Sequence, residues 1–149
     1  MKTLFDPNDC QSLCARIRAL EPSRGHLWGK MNVSQMLCHC GRPLEGATGE
    51  RPMKQSLIGK ILARFVLSSV FSEKPFGKGG PTAPSFVVAD ERDFATEQTR
   101  LLTLIDRFVQ RGAVEVGKEP HVFFGKLTGE QWGQLMYKHI DHHLQQFGA

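Results

Sequence analysis

The chain has 149 residues, of which 40% are hydrophobic and 23% charged, and this fits one globular domain over residues 1–149. The formal net charge is only +4 and no run of five like charges occurs, so the sequence predicts no nucleic-acid partner. No window approaches the roughly 18 apolar residues of a membrane span. The first residues lack an apolar signal-peptide stretch, so a cytoplasmic protein is expected.

Two helices are predicted in the first third of the chain. The first covers about 7–20, and Asp6 is suited to its N-cap. The second covers about 33–47, where Asn32 and Gln35 have the spacing of a capping box. Apolar residues recur at helical spacing in both segments, so each has one face to bury.

The middle of the chain combines an amphipathic segment with an irregular stretch. Segment 56–71 has an apolar face with Lys60 and Arg64 on its edge. A membrane-surface helix is one interpretation, and packing over the core with solvated charges is the favoured one. Residues 72–89 are rich in glycine and proline and are predicted to be a loop. Within that loop, 85–89 is predicted to be extended.

Two more helices are predicted in the C-terminal half. The third covers about 90–110 and is expected to stop at Gly112. A loop over 113–127 leads to the fourth helix, over about 129–147. Thr128 and the glutamine three residues later have the spacing of a second capping box.

Four long amphipathic helices predict an all-α bundle, with an extra helical segment in the long connection between the second and third helices. That connection, residues 48–89, is long enough for a crossover. The second and third helices are therefore expected to run in the same direction.

The fourth helix carries two histidines on its apolar face. On a helical wheel of about 100° per residue, His139 and His143 fall at the centre of the face that includes Trp132, and His142 falls on its rim. Two histidines one turn apart can bind one ion. The alternative is a pair of hydrogen-bonded core histidines, but the surrounding apolar residues offer few polar partners.

A third metal ligand must come from elsewhere, and the candidates are His26, His39, His121 and the cysteines. His39 lies inside the second helix, at the border of its apolar face. His26 and His121 lie in loops, where solvated side chains are expected. The sequence Cys38-His39-Cys40 cannot direct all three side chains to one ion, because helix neighbours point about 100° apart.

The four cysteines are predicted to be free thiols. They are Cys10, Cys14, Cys38 and Cys40, and neither close pair has the C-x-x-C spacing of a redox or zinc motif. Without an export signal, a reducing compartment is expected. Cys40 lies on the apolar stripe and is expected to pack in the core.

Two segments resemble a known superfamily. Residues 27–39, LWGKMNVSQMLCH, resemble the start of helix 2 in DinB/YfiT-like metalloenzymes, and more narrowly a branch described as a domain of unknown function. The stretch that begins with FFGKLT at Phe123 and continues through His139 and His143 resembles the same branch. The resemblance extends over nearly the whole chain.

The resemblance implies a fold and a metal site. The fold is a DinB-like four-helix bundle with up-down-down-up topology. The site has three histidine ligands, which fall here on His39, His139 and His143. Zinc or nickel is the divalent ion implied, and a homodimer is a further expectation. Some distant members are transferases or isomerases that act with low-molecular-weight thiols.

Two functions are therefore open. The first is a metalloenzyme in which an ion with an open coordination position activates water or a thiol, for hydrolysis or thiol transfer on a small-molecule substrate. The second is a non-catalytic module that binds a metal or a ligand. A general base near the ion would favour the metalloenzyme over the non-catalytic module. No carboxylate is convincingly placed for this role, and Glu130 lies more than two helical turns from His139. No serine lies in a G-x-S-x-G elbow, so no covalent protein intermediate is expected.

Overall fold

Four α-helices dominate the computed structural model of the protein, which describes residues 1–53, 67, 69–80, 82 and 84–149. The predicted segment 56–71 lies outside the described residues except for its last few positions. None of the described helices has the length and apolar character to cross a bilayer. The mostly helical class predicted from the sequence is confirmed, and the helices are α1 (Pro7–Arg18), α2 (Val33–Ala47), α3 (Phe94–Val116) and α4 (Gly129–Gln146).

Side-chain caps start three of these helices where the sequence predicts them. The Asp6 carboxylate accepts hydrogen bonds from the first-turn amides of α1. Asn32 and Gln35 exchange side-chain-to-backbone hydrogen bonds at the start of α2, and Thr128 and Gln131 do the same at the start of α4. Each cap satisfies amides that have no partner within the helix.

The third helix starts later than predicted, and a short helical stretch follows its predicted end. It begins at Phe94 with Asp93 as its N-cap and continues to Val116, whereas the prediction covered 90–110. Gly112 has φ 77° and ψ 159°, outside the helical region, so the stop predicted at Gly112 coincides with a break between two helical stretches that together span Phe94–Val116.

Two loop predictions need correction. The extended piece predicted over 85–89 is wrong, because Pro84–Phe86 forms a short 3-10 helix. The predicted loop 113–127 contains a small antiparallel pair, β1 (Pro120–His121) with β2 (Gly125–Lys126).

Hydrogen bonds between α2 and α3 show that these helices run in the same direction. The Gln35 side chain near the start of α2 donates to the Asp90 carbonyl, just before α3. The Arg111 guanidinium near the end of α3 donates to the Thr48 carbonyl at the end of α2. The long connection between the two helices therefore crosses from one end of the pair to the other.

The first and last helices also run in the same direction. The Leu4 amide before α1 donates to the Gly133 carbonyl near the start of α4, at 3.2 Å. Arg16 near the end of α1 pairs with Asp141 toward the end of α4, at 2.5 Å.

The pair formed by α1 and α4 runs opposite to the pair formed by α2 and α3. Phe5, before α1, stacks on Phe108, well along α3, with ring centroids 5.0 Å apart. The Gln98 side chain, near the start of α3, donates to the Ile17 carbonyl near the end of α1, at 2.8 Å. Helices α1 and α3 are therefore antiparallel.

One hydrophobic cluster contains side chains from all four helices. Each large apolar side chain that leaves water contributes about 1.5–3 kcal/mol to folding. The apolar faces predicted from helical spacing supply the cluster, including Leu13 and Ile17 of α1, Leu37 and Leu44 of α2, Leu101 and Phe108 of α3, and Trp132 and Leu144 of α4. The facing positions of α2 and α4 also carry histidines.

Candidate metal centre

Three histidines from two helices meet at one point. His39 comes from α2, and His139 and His143 come from consecutive turns of α4. Their ring centroids form a triangle with sides of 5.0, 4.7 and 4.8 Å. One nitrogen from each ring lies within 4.8 Å of the other two, a spacing that could hold a metal ion.

The His39 ring is oriented by a backbone carbonyl. His39 is buried, and its Nδ1 lies 2.9 Å from the carbonyl oxygen of Phe86 in the 3-10 helix. A carbonyl only accepts, so the Nδ1–H of His39 donates to it. The lone pair of the ring is therefore on Nε2, on the side of the other two histidines.

The His143 ring is oriented by a glutamine. The buried Gln146 amide donates through its nitrogen to the Trp28 carbonyl at 2.6 Å. Its oxygen lies 2.8 Å from His143 Nδ1 and accepts the proton of that nitrogen. This chain of two hydrogen bonds leaves the lone pair of His143 on Nε2. A partner of this kind commonly orients a metal-binding histidine.

The third member of the group is His139. Its Nε2 lies 3.1 Å from His39 Nε2. Two lone pairs cannot face each other at this distance, so a proton or a cation must lie between them. Bonds of 2.0–2.1 Å in a tetrahedral zinc site place neighbouring nitrogens about 3.3 Å apart, so the observed separation fits an ion. His139 Nδ1 is buried and has no hydrogen-bond partner among the described residues.

The surroundings keep all three rings neutral. Burial lowers the pKa of His39, and burial together with the neighbouring imidazoles lowers the pKa of His139 well below its usual value. Burial lowers the pKa of His143 to about 3. Neutral imidazole is the form that binds metals, so these rings are in the binding form at neutral pH.

The three histidines line a cavity of about 1060 Å³. Its walls are mainly aromatic and apolar, and its charged lining residues among those described are Lys30 and Lys78. None of the described lining residues is Asp or Glu. The sequence places no Asp or Glu at 54–66, 68, 81 or 83 either. The lining is therefore free of carboxylates whichever of those residues approach it.

One wall of the cavity is attached to α4 by a lysine. Lys138 Nζ donates to the carbonyl oxygens of Ser69, Val70 and Ser72, at 3.1, 2.9 and 2.8 Å. It also lies 4.7 Å from the centroid of the Phe76 ring, which lines the cavity. These contacts connect the segment around Phe76 to the helix that carries two of the three histidines.

The placement of His121 corrects the expectation of a solvated loop residue. His121 is only 4% exposed and also lines the cavity, stacked on the Phe124 ring at 4.9 Å and edge-on to Trp132 at 5.1 Å between ring centroids. Its Nδ1 accepts the amides of Phe123 and Phe124 at 3.1 and 3.3 Å. Burial lowers its pKa to about 3. The adjacent Phe123-Phe124 pair was the sequence signal for an aromatic surrounding.

His142 and His26 are not members of the three-histidine group, although the His142 ring lies 5.3 Å from the His143 ring. His142 lies on the rim, as the helical wheel predicts, with its ring 5.7 Å from Trp28 and 5.8 Å from Phe76. His26 is exposed, as expected for a loop residue.

The cysteines are also outside the group. All four are free in the structure. Cys38 and Cys40 are buried, and Cys40 Sγ lies 3.7 Å from Met36 Sδ, in agreement with a packing role for Cys40. Cys10 and Cys14 are half-buried on α1, a helix that contains no histidine.

Comparison with known proteins places the chain in a family without assigning a reaction. A family model described as "Protein of unknown function (DUF1569)" matches residues 3–149. No curated protein and no solved structure matches the chain.

Proposed function

The chain belongs to the family described as a protein of unknown function (DUF1569), and we propose that it binds a divalent metal ion through His39, His139 and His143. One observation carries this proposal. Hydrogen bonds to the Phe86 carbonyl and the Gln146 amide leave the lone pairs of His39 and His143 on Nε2, within the group that also includes His139.

We also propose that the fold is the DinB-like bundle with up-down-down-up topology. The relative directions of the helices support it, as does the resemblance of segments 27–39 and 123–143 to that superfamily. The homodimer expected from the same resemblance is part of this proposal. Sedimentation equilibrium of the purified chain tests it, and a mass of one chain would contradict it.

Zinc or nickel is the proposed ion. Imidazole nitrogen suits both metals, and three protein ligands leave a coordination position open, as in catalytic zinc sites. When bound, such an ion supplies Lewis-acid activation of a small nucleophile at that position. The chain contributes the rest: Phe86 and Gln146 orient the ligands, and the aromatic walls limit access of water.

The proposed reaction is metal-dependent thiol transfer on a small molecule, ahead of hydrolysis. A carboxylate is a common general base for the attacking water in hydrolysis, and the cavity lining contains none. A bound divalent ion would favour the thiolate form of a thiol, whose ordinary pKa is about 8.5, with the thiol proton released to solvent, so no carboxylate base is required. The same missing carboxylate favours the second candidate, a non-catalytic metal- or ligand-binding module.

The test of the ligand set uses four alanine variants of tag-free protein stripped with a chelator. His39→Ala, His139→Ala and His143→Ala should each lower zinc and nickel affinity by orders of magnitude in equilibrium dialysis. His142→Ala is the matched control on the same helix, and it should keep the affinity of the unmodified chain. Equal losses for His142→Ala and His143→Ala would refute the ligand assignment.

The open coordination position has a separate spectroscopic test. Cobalt-substituted protein is titrated with low-molecular-weight thiols, and a sulfur-to-metal charge-transfer band is expected. A spectrum that no thiol or small anion perturbs would rule out the open position. The non-catalytic module would then be the better description.

A further inference from the structure

We propose that the cavity beside the three histidines binds a small organic anion with an aromatic body, with the Nε2–H of His121 as a hydrogen-bond donor to its acidic group and Lys78 as a positive charge at the rim. This inference rests on the proposed metal site and names the class of ligand that site takes. Three features of the cavity support it: its charge, the hydrogen-bonding state of His121 and its aromatic walls.

The charge of the site calls for an anion. Three neutral imidazoles leave the double positive charge of a divalent ion uncompensated. The cavity offers no carboxylate to balance it, since its described lining has none and the remaining stretches of sequence contain none. A cleft lined by one sign of charge concentrates ligands of the opposite sign. An anionic group at the open position would reduce the cost of keeping the ion out of water.

His121 supplies a hydrogen-bond donor of fixed direction. Its Nδ1 accepts two backbone amides, so the ring proton is on Nε2. That Nε2–H has no acceptor among the described residues, although the side chain is 4% exposed and lines the cavity. A donor on the cavity wall without a protein acceptor can be satisfied by a ligand, and an acidic group is a suitable acceptor.

Aromatic residues surround the rest of the cavity and suit a flat, apolar body. Trp28, Phe76, Phe86 and Phe124 all line it. At the rim, Lys78 lies with its Nζ 4.5 Å from the centroid of the Trp28 ring, which holds the ammonium group beside an aromatic surface. The cavity volume, about 1060 Å³, is near the upper end for small-molecule sites. A ligand that joins an acidic group to an aromatic ring matches both the positively charged groups and the aromatic walls of the cavity.

Isothermal titration of zinc-loaded protein with three probes tests the class of ligand. The probes are phenylacetate, its neutral isostere 2-phenylacetamide, and acetate, which has the acidic group alone. Phenylacetate should bind about tenfold or more tightly than either of the others, as expected from losing one charge-assisted contact or the ring contacts. Equal affinity for phenylacetate and the amide would overturn the proposal.

Variants of the two recognition residues locate the anion. His121→Asn keeps an acceptor for the two backbone amides and removes the Nε2–H, so it should weaken phenylacetate about tenfold. Lys78→Gln should weaken it a few-fold, with the difference fading at high salt, since a rim charge is screened. Lys118→Gln, an exposed lysine outside the cavity lining, is the matched control and should have no effect.

Zinc content, measured on the same samples, distinguishes a failure of the metal proposal from a failure of the anion proposal. Protein that keeps one zinc per chain but does not prefer the anion refutes this inference and leaves the metal proposal intact. Protein that retains no zinc refutes both. If His121→Asn does not fold, as judged by circular dichroism, Lys78→Gln carries the test of location, and a loss equal to that of Lys118→Gln overturns it.

Discussion

Gln146 determines which nitrogen of His143 carries the proton, although it is not itself one of the three converging residues. Its amide nitrogen is committed to the Trp28 carbonyl, so its oxygen faces His143 Nδ1. Phe86 does the same for His39 through its backbone carbonyl. At the scale of single residues, the chemistry of the site therefore depends on these partners as much as on the imidazoles.

Replacing Gln146 should weaken metal binding while the ligands remain. We expect Gln146→Leu to lower zinc affinity about 10- to 100-fold, the usual cost of losing the partner that orients a ligand. Competition with a chromogenic chelator measures the change. Gln145→Leu is the matched control, because Gln145 is exposed and its amide binds Asp141 instead. Equal losses in the two variants would mean that Gln146 does not orient His143.

The buried His121 makes stability depend on pH. Its pKa is about 3 in the folded protein and about 6.5 in an unfolded chain. The unfolded state therefore binds more protons between these values, and the contribution of His121 to stability is present above pH 6.5 and is lost as the pH falls toward 3.

The difference between the stability curves of the unmodified chain and His121→Asn isolates this contribution. One proton corresponds to a slope of about 1.4 kcal/mol per pH unit within the window. Urea unfolding in the presence of a chelator, at a series of pH values from 7 to 4, should show a shallower slope for the variant. His26→Asn, at an exposed loop position, is the control. The same flattening in both variants would contradict the assignment to His121.

Among the helices, α3 contains the least regular backbone. Gly112 adopts φ 77° and ψ 159°, a conformation that side chains with a Cβ rarely adopt. An added Cβ would meet no atom within 4 Å. The space around Gly112 is therefore open, and the requirement for glycine comes from the backbone alone.

Because a substitution at Gly112 changes the backbone energy without creating a clash, it tests the cost of this backbone conformation directly. Gly112→Ala should lower the free energy of unfolding by about 1–3 kcal/mol, the cost of an unfavourable backbone conformation. Gly25→Ala is the control, because its added Cβ also meets nothing within 4 Å and its φ is not positive. Denaturant unfolding measures both. A neutral Gly112→Ala would show that α3 can straighten at this point without cost.

Across the whole molecule, the three histidines join helices that are far apart in sequence. His39 and His139 are separated by 100 residues along the chain, yet their Nε2 atoms are 3.1 Å apart. An ion held there would connect α2 to α4 and would bind only the folded chain. Metal binding and global stability are thus linked.

Zinc or nickel should therefore raise the melting temperature in proportion to the logarithm of its concentration. At 100 times the dissociation constant the added stability is about 2.7 kcal/mol. Differential scanning calorimetry of chelator-treated protein, with metal added back in steps, measures the effect. The rise should disappear in His143→Ala and persist in His142→Ala. A melting temperature that does not respond to either metal would contradict the proposed site.

Helical spacing and capping residues were sufficient to predict most of the fold, because they act between residues close in sequence. The starts of α1, α2 and α4 follow from side chains within three residues of the first amides. The shared apolar face of His139 and His143 follows from the helical repeat alone. The helical stretch beyond Gly112 was less predictable, since a glycine that breaks a helix does not determine whether another turn follows it.

Contacts between segments that are distant in sequence determine which ring nitrogens of the site carry protons and which side chains are buried there. The protons on His39 and His143 depend on Phe86 and Gln146, and His121 is buried because β1 turns it onto Trp132. No local pattern encodes these contacts, since each forms when packing brings together segments with no fixed spacing. The number of Asp and Glu residues can be read from the sequence. Their absence from the cavity lining depends on which segments pack around the cavity. The arrangement of donors, lone pairs and charge is thus a property of the packed helices and loops together.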